Sequence, residues 1–425
     1  MKSLPLVIVG LLLTATIGVG AVVPAPEATP DQVAPETPTT PLQATTADQT
    51  TTTPPGNATG TLAIPQSAVA RTERQRHQVD IGPAVGFETA ATTDTLATGV
   101  LKRQIESAGN ESQRRARLRA AVGETETAVE ALTARNTAAI QAFAAGNSEP
   151  KPLLEELVLI GQTADRLRER VNLLQQMAND DAPDSSLSAR LSTLSYELRM
   201  LDGPVRAHAA AVFAAEQPAG QIFVQASEDS IVLSAITDDA YLREVLYPDN
   251  RGESETQISA DKASEIAADA YPKFWSDRGS GTWSVAGPGS ISVVSISEID
   301  LGELEAFFDG TTEQAFVEHK RLTLDQFVPT QQTTKVQDGL RVTVDRSYAG
   351  GPLRVTVVSD DTGQPVDATV QIAQNGEKSQ AVGTTDDGRP VWTLTPSGEF
   401  TLTVITEDNS AAFVQIQPQA ADDAG

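Results

Sequence analysis

Three stretches of this chain keep their apolar positions at alternating steps of four and three. One runs Leu118, Val122, Thr125, Val129, Leu132, Asn136, Ala139, Phe143. The next runs Leu153, Leu157, Ile160, Ala164, Leu167, Val171, Leu174, Ala178, and the third Leu187, Leu191, Leu194, Leu198, Leu201, Val205, His208, Val212, Ala215. Such seams predict long helices packed in a coiled-coil-like manner. Gly146-Asn147 with Pro150 and Pro152, then Asn179 to Pro183, supply short breaks that force antiparallel neighbours. Gly203-Pro204 inside the third seam predicts a kink or split near Leu201. A weaker helix is expected over Glu88 to Ser107, with Leu101 and Ile105 inward.

Beyond residue 217 the period changes. Gln221–Gln225, Ile231–Ile236, Ile291–Ile296 and Leu304–Phe308 have strand composition, and Ser259 opens a helix that ends before Pro272. Asp309-Gly310 joins Leu304–Phe308 to a partner strand, Gln314–Leu322. From 338 to 418 the runs are short, alternating and β-branched, with turn residues every eight to twelve positions and Asn375-Gly376 as a hairpin turn, the pattern of a β-sandwich. The fold class is therefore multidomain α + β: an antiparallel coiled-coil-like bundle, a small α+β domain, then an Ig-like sandwich.

At the other end, Leu4 to Val23 is apolar and uncharged behind Lys2, the pattern of an export leader or signal anchor. Pro24 to Gly56 carries eight prolines and ten threonines with no aromatic residue and no Lys or Arg, so it reads as a solvated stalk. The organisation expected is leader 1–23, stalk 24–61, bundle 62–217, α+β domain 218–335, sandwich 336–418 and acidic tail 419–425.

Charge sharpens these divisions. Residues 62–217 hold 20 acids and 17 bases, whereas residues 218–425 hold 33 acids and 13 bases. The whole chain carries −26, with 23 Arg but only 8 Lys. This composition resembles proteins of salt-loving archaea, and the order of parts resembles uncharacterised secreted multidomain surface proteins of haloarchaeal type. Strong salt would screen the self-repulsion, because the Debye length falls to ~3 Å at 1 M. On that basis the bundle, held by its Leu seams, is expected to outlast the acidic β-containing modules when salt is lowered. The same charge disfavours nucleic acid as a partner.

Two further resemblances follow from motifs. Gly363-Gln-Pro-Val366, Thr385-Asp-Asp-Gly388 and Pro396-Ser-Gly-Glu-Phe400 are similar to prealbumin-like or carboxypeptidase-regulatory Ig-like sandwiches, which implies fold but no single function. Residues Ser259 to Leu322, a helix, a strand and the AFFDGTTEQAFVEHK hairpin, resemble PepSY-type modules, which implies an extracytoplasmic modulator or inhibitor of peptidases.

Candidate chemistry is sparse. With no Cys there is no thiol catalysis and no disulfide, and three His, at 77, 208 and 319, exclude a His-rich metal site. Ser259 and Lys262 share the Ser-x-x-Lys spacing of penicillin-recognising enzymes, but a helix N-cap explains Ser259 better. Asn136 and His208 sit on seams, where register and packing are their expected roles. The arginines at 71, 74, 76, 114, 115, 117 and 119 are expected to pair with nearby Glu. The acids at 360–361 and 386–387 fit turn chemistry better than Ca²⁺ binding. No catalytic, cofactor or metal residue is assigned, and no cofactor is expected. Asn57-Ala-Thr59 and Asn110-Glu-Ser112 are the sequons, so Asn57 and Asn110 are expected glycosylation sites, with Thr37 to Thr53 open to O-linked sugars. The function expected is that of a non-catalytic, exported cell-surface protein, structural, adhesive or interacting, in high salt. The alternatives are the PepSY-like modulator and an extracellular hydrolase with an unrecognised carboxylate site. Partners are a protein or cell-envelope component, a membrane only through an uncleaved leader, and a second copy through helix-mediated self-association.

Overall fold

The computed structural model describes residues 49–52, 60–77, 80–179, 184–254, 256–287, 289–374 and 378–418. The leader, most of the stalk, Asn57, the Asn375-Gly376 turn and the acidic tail lie outside them.

The bundle has five helices: α1 (Ile81–Glu106), α2 (Glu111–Ala144), α3 (Pro150–Asn179), α4 (Ser185–Arg199) and α5 (Pro204–Phe213). Asp80, Asn110 and Asp184 cap the first, second and fourth, each accepting from a first-turn backbone N–H. The Leu seams are buried as their period requires, and α3 sits among the other four. Ile105 is buried and Leu101 packs against the core from the rim. The third seam is split at Gly203-Pro204, as Pro at the first helical position dictates.

An eight-stranded antiparallel sheet follows. Its order is β2 (Arg71–His77), β3 (Gly220–Ala226), β4 (Ile231–Ile236), β5 (Ala240–Leu246), β9 (Ala315–Thr323), β8 (Gly302–Asp309), β7 (Ile291–Ile299) and β6 (Thr282–Ala286). The edge strand β2 corrects the expected limits of the bundle. Residues 71–77 pair with β3 throughout, and the preceding strap carries Leu62 and Ile64 into the core on the far side of the sheet. Their alternating charged composition gave no strand signal. The Asp309-Gly310 hairpin is present but longer than a two-residue turn. Asp309 Oδ1 accepts from the N–H of Gly252, Thr311 and Thr312 at 3.2, 2.9 and 3.1 Å, holding an open loop to Gln314.

Over β3 to β5 both faces of this sheet are covered, which explains the apolar runs of β3 and β4. Ile222, Val224, Ala226, Ile231, Leu233, Ala235 and Leu242 share one core with the bundle. Phe223, Val232, Tyr241, Val245, Ile296, Leu304 and Phe308 pack on α6 (Ala260–Ala270), α7 (Pro272–Asp277) and the strap.

The C-terminal sandwich pairs two sheets. One has the order β1 (Gln49–Thr52), β10 (Gln331–Gln337), β11 (Leu340–Arg346), β12 (Pro352–Ser359), β15 (Val391–Leu394). The other has β14 (Gln380–Thr385), β13 (Ala368–Gln374), β16 (Phe400–Thr406), β17 (Ala411–Ile416). Asp338 and Gly339, both at positive φ, make the tight β10–β11 turn. The strand β1 corrects the stalk: four of its residues, Gln49 to Thr52, form an edge strand antiparallel to β10. Thr has good strand propensity, and an edge asks only for backbone pairing. The compact unit spans Thr46–Gly425, so bundle, sheet and sandwich are parts of one body.

Candidate functional site

Adjacent residues of β5 send opposite charges to opposite faces of the sheet. On the strap side Arg243 donates to Glu318 Oε1 at 2.9 Å and to the carbonyl of Leu62 at 2.8 Å. Glu318 Oε2 accepts the Leu62 N–H at 2.8 Å, and Lys320 donates to the Gly60 carbonyl at 2.6 Å. Burial alone would raise the Glu318 carboxyl; Lys320, Arg243, the Leu62 N–H and Tyr271 outweigh it and hold the group below the usual range. Tyr241 Oη donates to the carbonyl of Gly350 at 3.1 Å, and Phe327 meets Trp392 edge-on at 5.6 Å. These contacts lock the strap and the sandwich onto the sheet.

On the bundle side Glu244 accepts from the Arg206 backbone N–H at 2.7 Å and from its Nε at 3.1 Å. Arg206 also donates to Asn136 Oδ1 at 3.1 Å and to the Leu201 carbonyl at 3.0 Å. The seam amide therefore has a definite partner. Gly203 is required here, because a Cβ would overlap the Glu244 carboxyl. Burial pushes the Glu244 carboxyl up despite Arg206.

Where the bundle ends, the same face is left open over β6 to β9 as a cleft of about 530 Å³. Its floor is polar in register: Thr282 and Ser284, then Ser295 and Ser297, Glu303 and Glu305, His319 and Arg321. Most of its charges are already committed. Glu305 accepts from Arg199 Nε and Nη2 at 3.1 and 2.6 Å, Asp202 pairs with Arg168 at 2.8 Å, and Arg321 with Asp239 at 2.7 Å. Burial, reinforced by the charges of Arg206 and Arg199, pushes the half-buried His319 ring down to about 3, so it is neutral at pH 7. Thr282 donates to Glu298 and Ser295 accepts from Arg199 at 3.3 Å, so the hydroxyls of Ser284 and Ser297 and the exposed Glu303 are left to face a ligand. The arrangement suits hydrogen bonding to a polar, extended molecule. Its signal in the sequence is a period-2 polar set in four adjacent strands, visible only once their register is known.

The residues singled out by sequence are scattered, not gathered into this cleft. Asn57 lies outside the described residues. Asn110 is exposed at the N-cap of α2, its Oδ1 accepting the Gln113 N–H at 2.9 Å. Ser259 caps α6 by accepting the Lys262 N–H at 3.2 Å, while Lys262 Nζ pairs with Glu313 at 3.1 Å. Asp360 pairs with Arg341, and Asp387 with Gly388 forms a turn at positive φ. Arg71 stacks on Phe143 and donates to the Ser148 carbonyl; Arg115 pairs with Glu111, Arg117 with the Gln104 carbonyl and Arg119 with Asp184. His208 is half-buried, and burial lowers its pKa. Among the described residues no cluster of three metal-ligating side chains occurs, and no helix is long and apolar enough to cross a membrane.

Three family models cover the chain in succession. Residues 331–413 match an archaeal fibronectin-III type-like domain, which fixes the sandwich as Ig-like. Residues 222–328 match a family of unknown function (DUF7094) and residues 1–218 a domain of unknown function (DUF7096). The chain is thus a multidomain α+β protein that ends in a fibronectin-III-like module. The match over residues 1–218 takes in more than half of the 425 residues, and the chain belongs to the DUF7096 family. No curated protein and no solved structure matches it.

Proposed function

We propose that this is a non-catalytic, exported cell-surface protein of a high-salt environment, and that the cleft over β6 to β9 is where it meets its ligand. The observation that carries the reading is that the cleft's charges are paired, Arg199 with Glu305 inside it and Asp202 and Arg321 with Arg168 and Asp239 outside it, which leaves Ser284, Ser297 and Glu303 outward. A fibronectin-III-like module fits an extracellular interaction role, and the −26 charge and the leader–stalk pattern support export into brine. The ligand class is a polar envelope component, peptide or glycan. Protease shaving of intact cells should remove the protein. In vitro, Ser295→Trp, which fills the cleft, should abolish retention on a purified cell-envelope fraction with circular dichroism unchanged. Retention unaffected by that variant would refute the cleft as the site. Turnover of envelope material abolished by Glu303→Gln would replace the non-catalytic reading with a hydrolase. The PepSY-like order of α6, then the β8–β9 hairpin, supports a second reading as a peptidase modulator, whose mark would be an extracytoplasmic protease that co-purifies and changes activity.

A further inference from the structure

Among the described residues five large apolar side chains are exposed, and three of them lie on α1: Val85 at 59 %, Leu96 at 64 % and Val100 at 45 %. They belong to one stripe. Written as a heptad, Val85, Thr92 and Gly99 occupy one core position and Thr89, Leu96 and Arg103 the other, with Gly86, Thr93 and Val100 on one flank. The opposite flank reads Glu88, Thr95, Lys102. In a chain of net charge −26 this helix is nearly neutral, with three acids against two bases, so two copies of it would not repel as the rest of the surface does.

We propose that α1 is a self-association helix that pairs antiparallel with α1 of a second copy across a two-fold axis. The charge pattern selects the register. When the residue numbers of facing core positions sum to 188, Thr92 meets Leu96 of the second copy, Thr89 meets Gly99, and Val85 lies under the aliphatic stem of Arg103. The flanking positions then sum to 190, so Glu88 faces Lys102 of the second copy, Lys102 faces its Glu88, and Thr95 faces itself. The Glu88 carboxylate has no partner among the described residues, and Lys102 holds Glu106 only at 3.8 Å with both side chains half-exposed. The contact is isologous, as a closed dimer requires. The small residues Gly86, Thr89, Thr93 and Gly99 permit close approach of the backbones. A helix of 26 residues is about 39 Å long. One such pair buries less than the ~1,200 Å² of a stable interface, so the dimer is weak and concentration-dependent.

The absence of cysteine makes the register directly testable in the full chain. Thr95→Cys should cross-link to itself between copies with a short bis-maleimide, whereas Thr127→Cys, exposed on α2, should not. Sedimentation equilibrium at the lowest salt that preserves the circular dichroism should show a monomer–dimer equilibrium. Glu88→Lys and Lys102→Glu should each weaken it about tenfold, or about 1.4 kcal/mol, and the double reversal should restore it. A monomer at every concentration, equal cross-linking at both positions, or singles that the double reversal does not rescue would overturn the proposal. So would a stripe that becomes protected only when envelope material is added, since that would give the face to another partner.

Discussion

At the residue scale the molecule depends on charges placed where a β-sheet seldom holds them. Arg243 and Glu318 are at most 2 % exposed, and each pairs with the other and with the strap backbone, although Arg243 Nε is left without a hydrogen-bond partner. Removing one partner of such a pair strands the other, at a cost of about 3–5 kcal/mol. We therefore expect Glu318→Gln to lower the melting temperature steeply and to open the strap near Leu62 to proteolysis; a change within about 0.5 kcal/mol would contradict the assignment. His319 gives a pH dependence of known sign. Its folded pKa of about 3 lies below the unfolded value near 6.5. The unfolded chain takes up the proton first, so the stability this ring supports is whole above pH 6.5 and is lost progressively toward pH 3. His319→Gln should flatten the acid limb of a melting-temperature profile relative to the parent, and superimposable limbs would refute this. None of these roles was legible beforehand. Leu242-Arg-Glu-Val245 and Val317-Glu-His-Lys-Arg321 alternate like half-exposed strands, and nothing local says that both faces are covered.

At the element scale, period was a good guide and termini were not. The Leu seams placed α2 to α5, and the Gly146-Asn147, Asn179 to Pro183 and Gly203-Pro204 breaks placed their ends, because helix period and breakers are local signals. The strands β2, β5, β6 and β10 were missed, and with β10 the sandwich begins at Gln331 instead of 336, since charged, polar or short runs carry no signal until partners are known. In β1 all four residues are polar, and Gln49 and Thr50 are exposed. Its ladder bonds, about 0.5–1.5 kcal/mol each, are matched by an ordering cost of about 1–2 kcal/mol per residue. Deleting residues 49–52 should leave the melting temperature nearly unchanged while exposing β10 as an aggregation edge, which light scattering would record; a loss of many degrees would show β1 to be structural. At Asn110, capping uses Oδ1 and leaves Nδ2 for a glycan. Asn110→Ala should cost about 1 kcal/mol of stability, whereas Ser112→Ala should remove the sequon and keep the cap. Mass spectrometry of native protein should find modified Asn110 and Asn57; unmodified peptides at both would end that expectation.

At the scale of the whole molecule, the sequence separated a nearly neutral bundle from acidic β modules, and on that ground the bundle should outlast them in low salt. The structure changes this expectation, because the bundle and β3 to β5 share one hydrophobic core. A shared core couples their unfolding, while the sandwich keeps a core of its own in Val342, Val355, Leu402 and their neighbours. Because they share this core, bundle and eight-stranded sheet are one cooperative body, in a protein that we propose to be adapted to salt. Hydrogen exchange followed segment by segment, as salt is lowered from about 3 M to about 0.1 M and the Debye length grows to ~10 Å, tests it most directly. The helices α2 to α5 and strands β3 to β5 should lose protection together, with the sandwich free to differ. Protection in α2 to α5 that survives after β3 to β5 have opened, or indifference of every segment to salt, would contradict it.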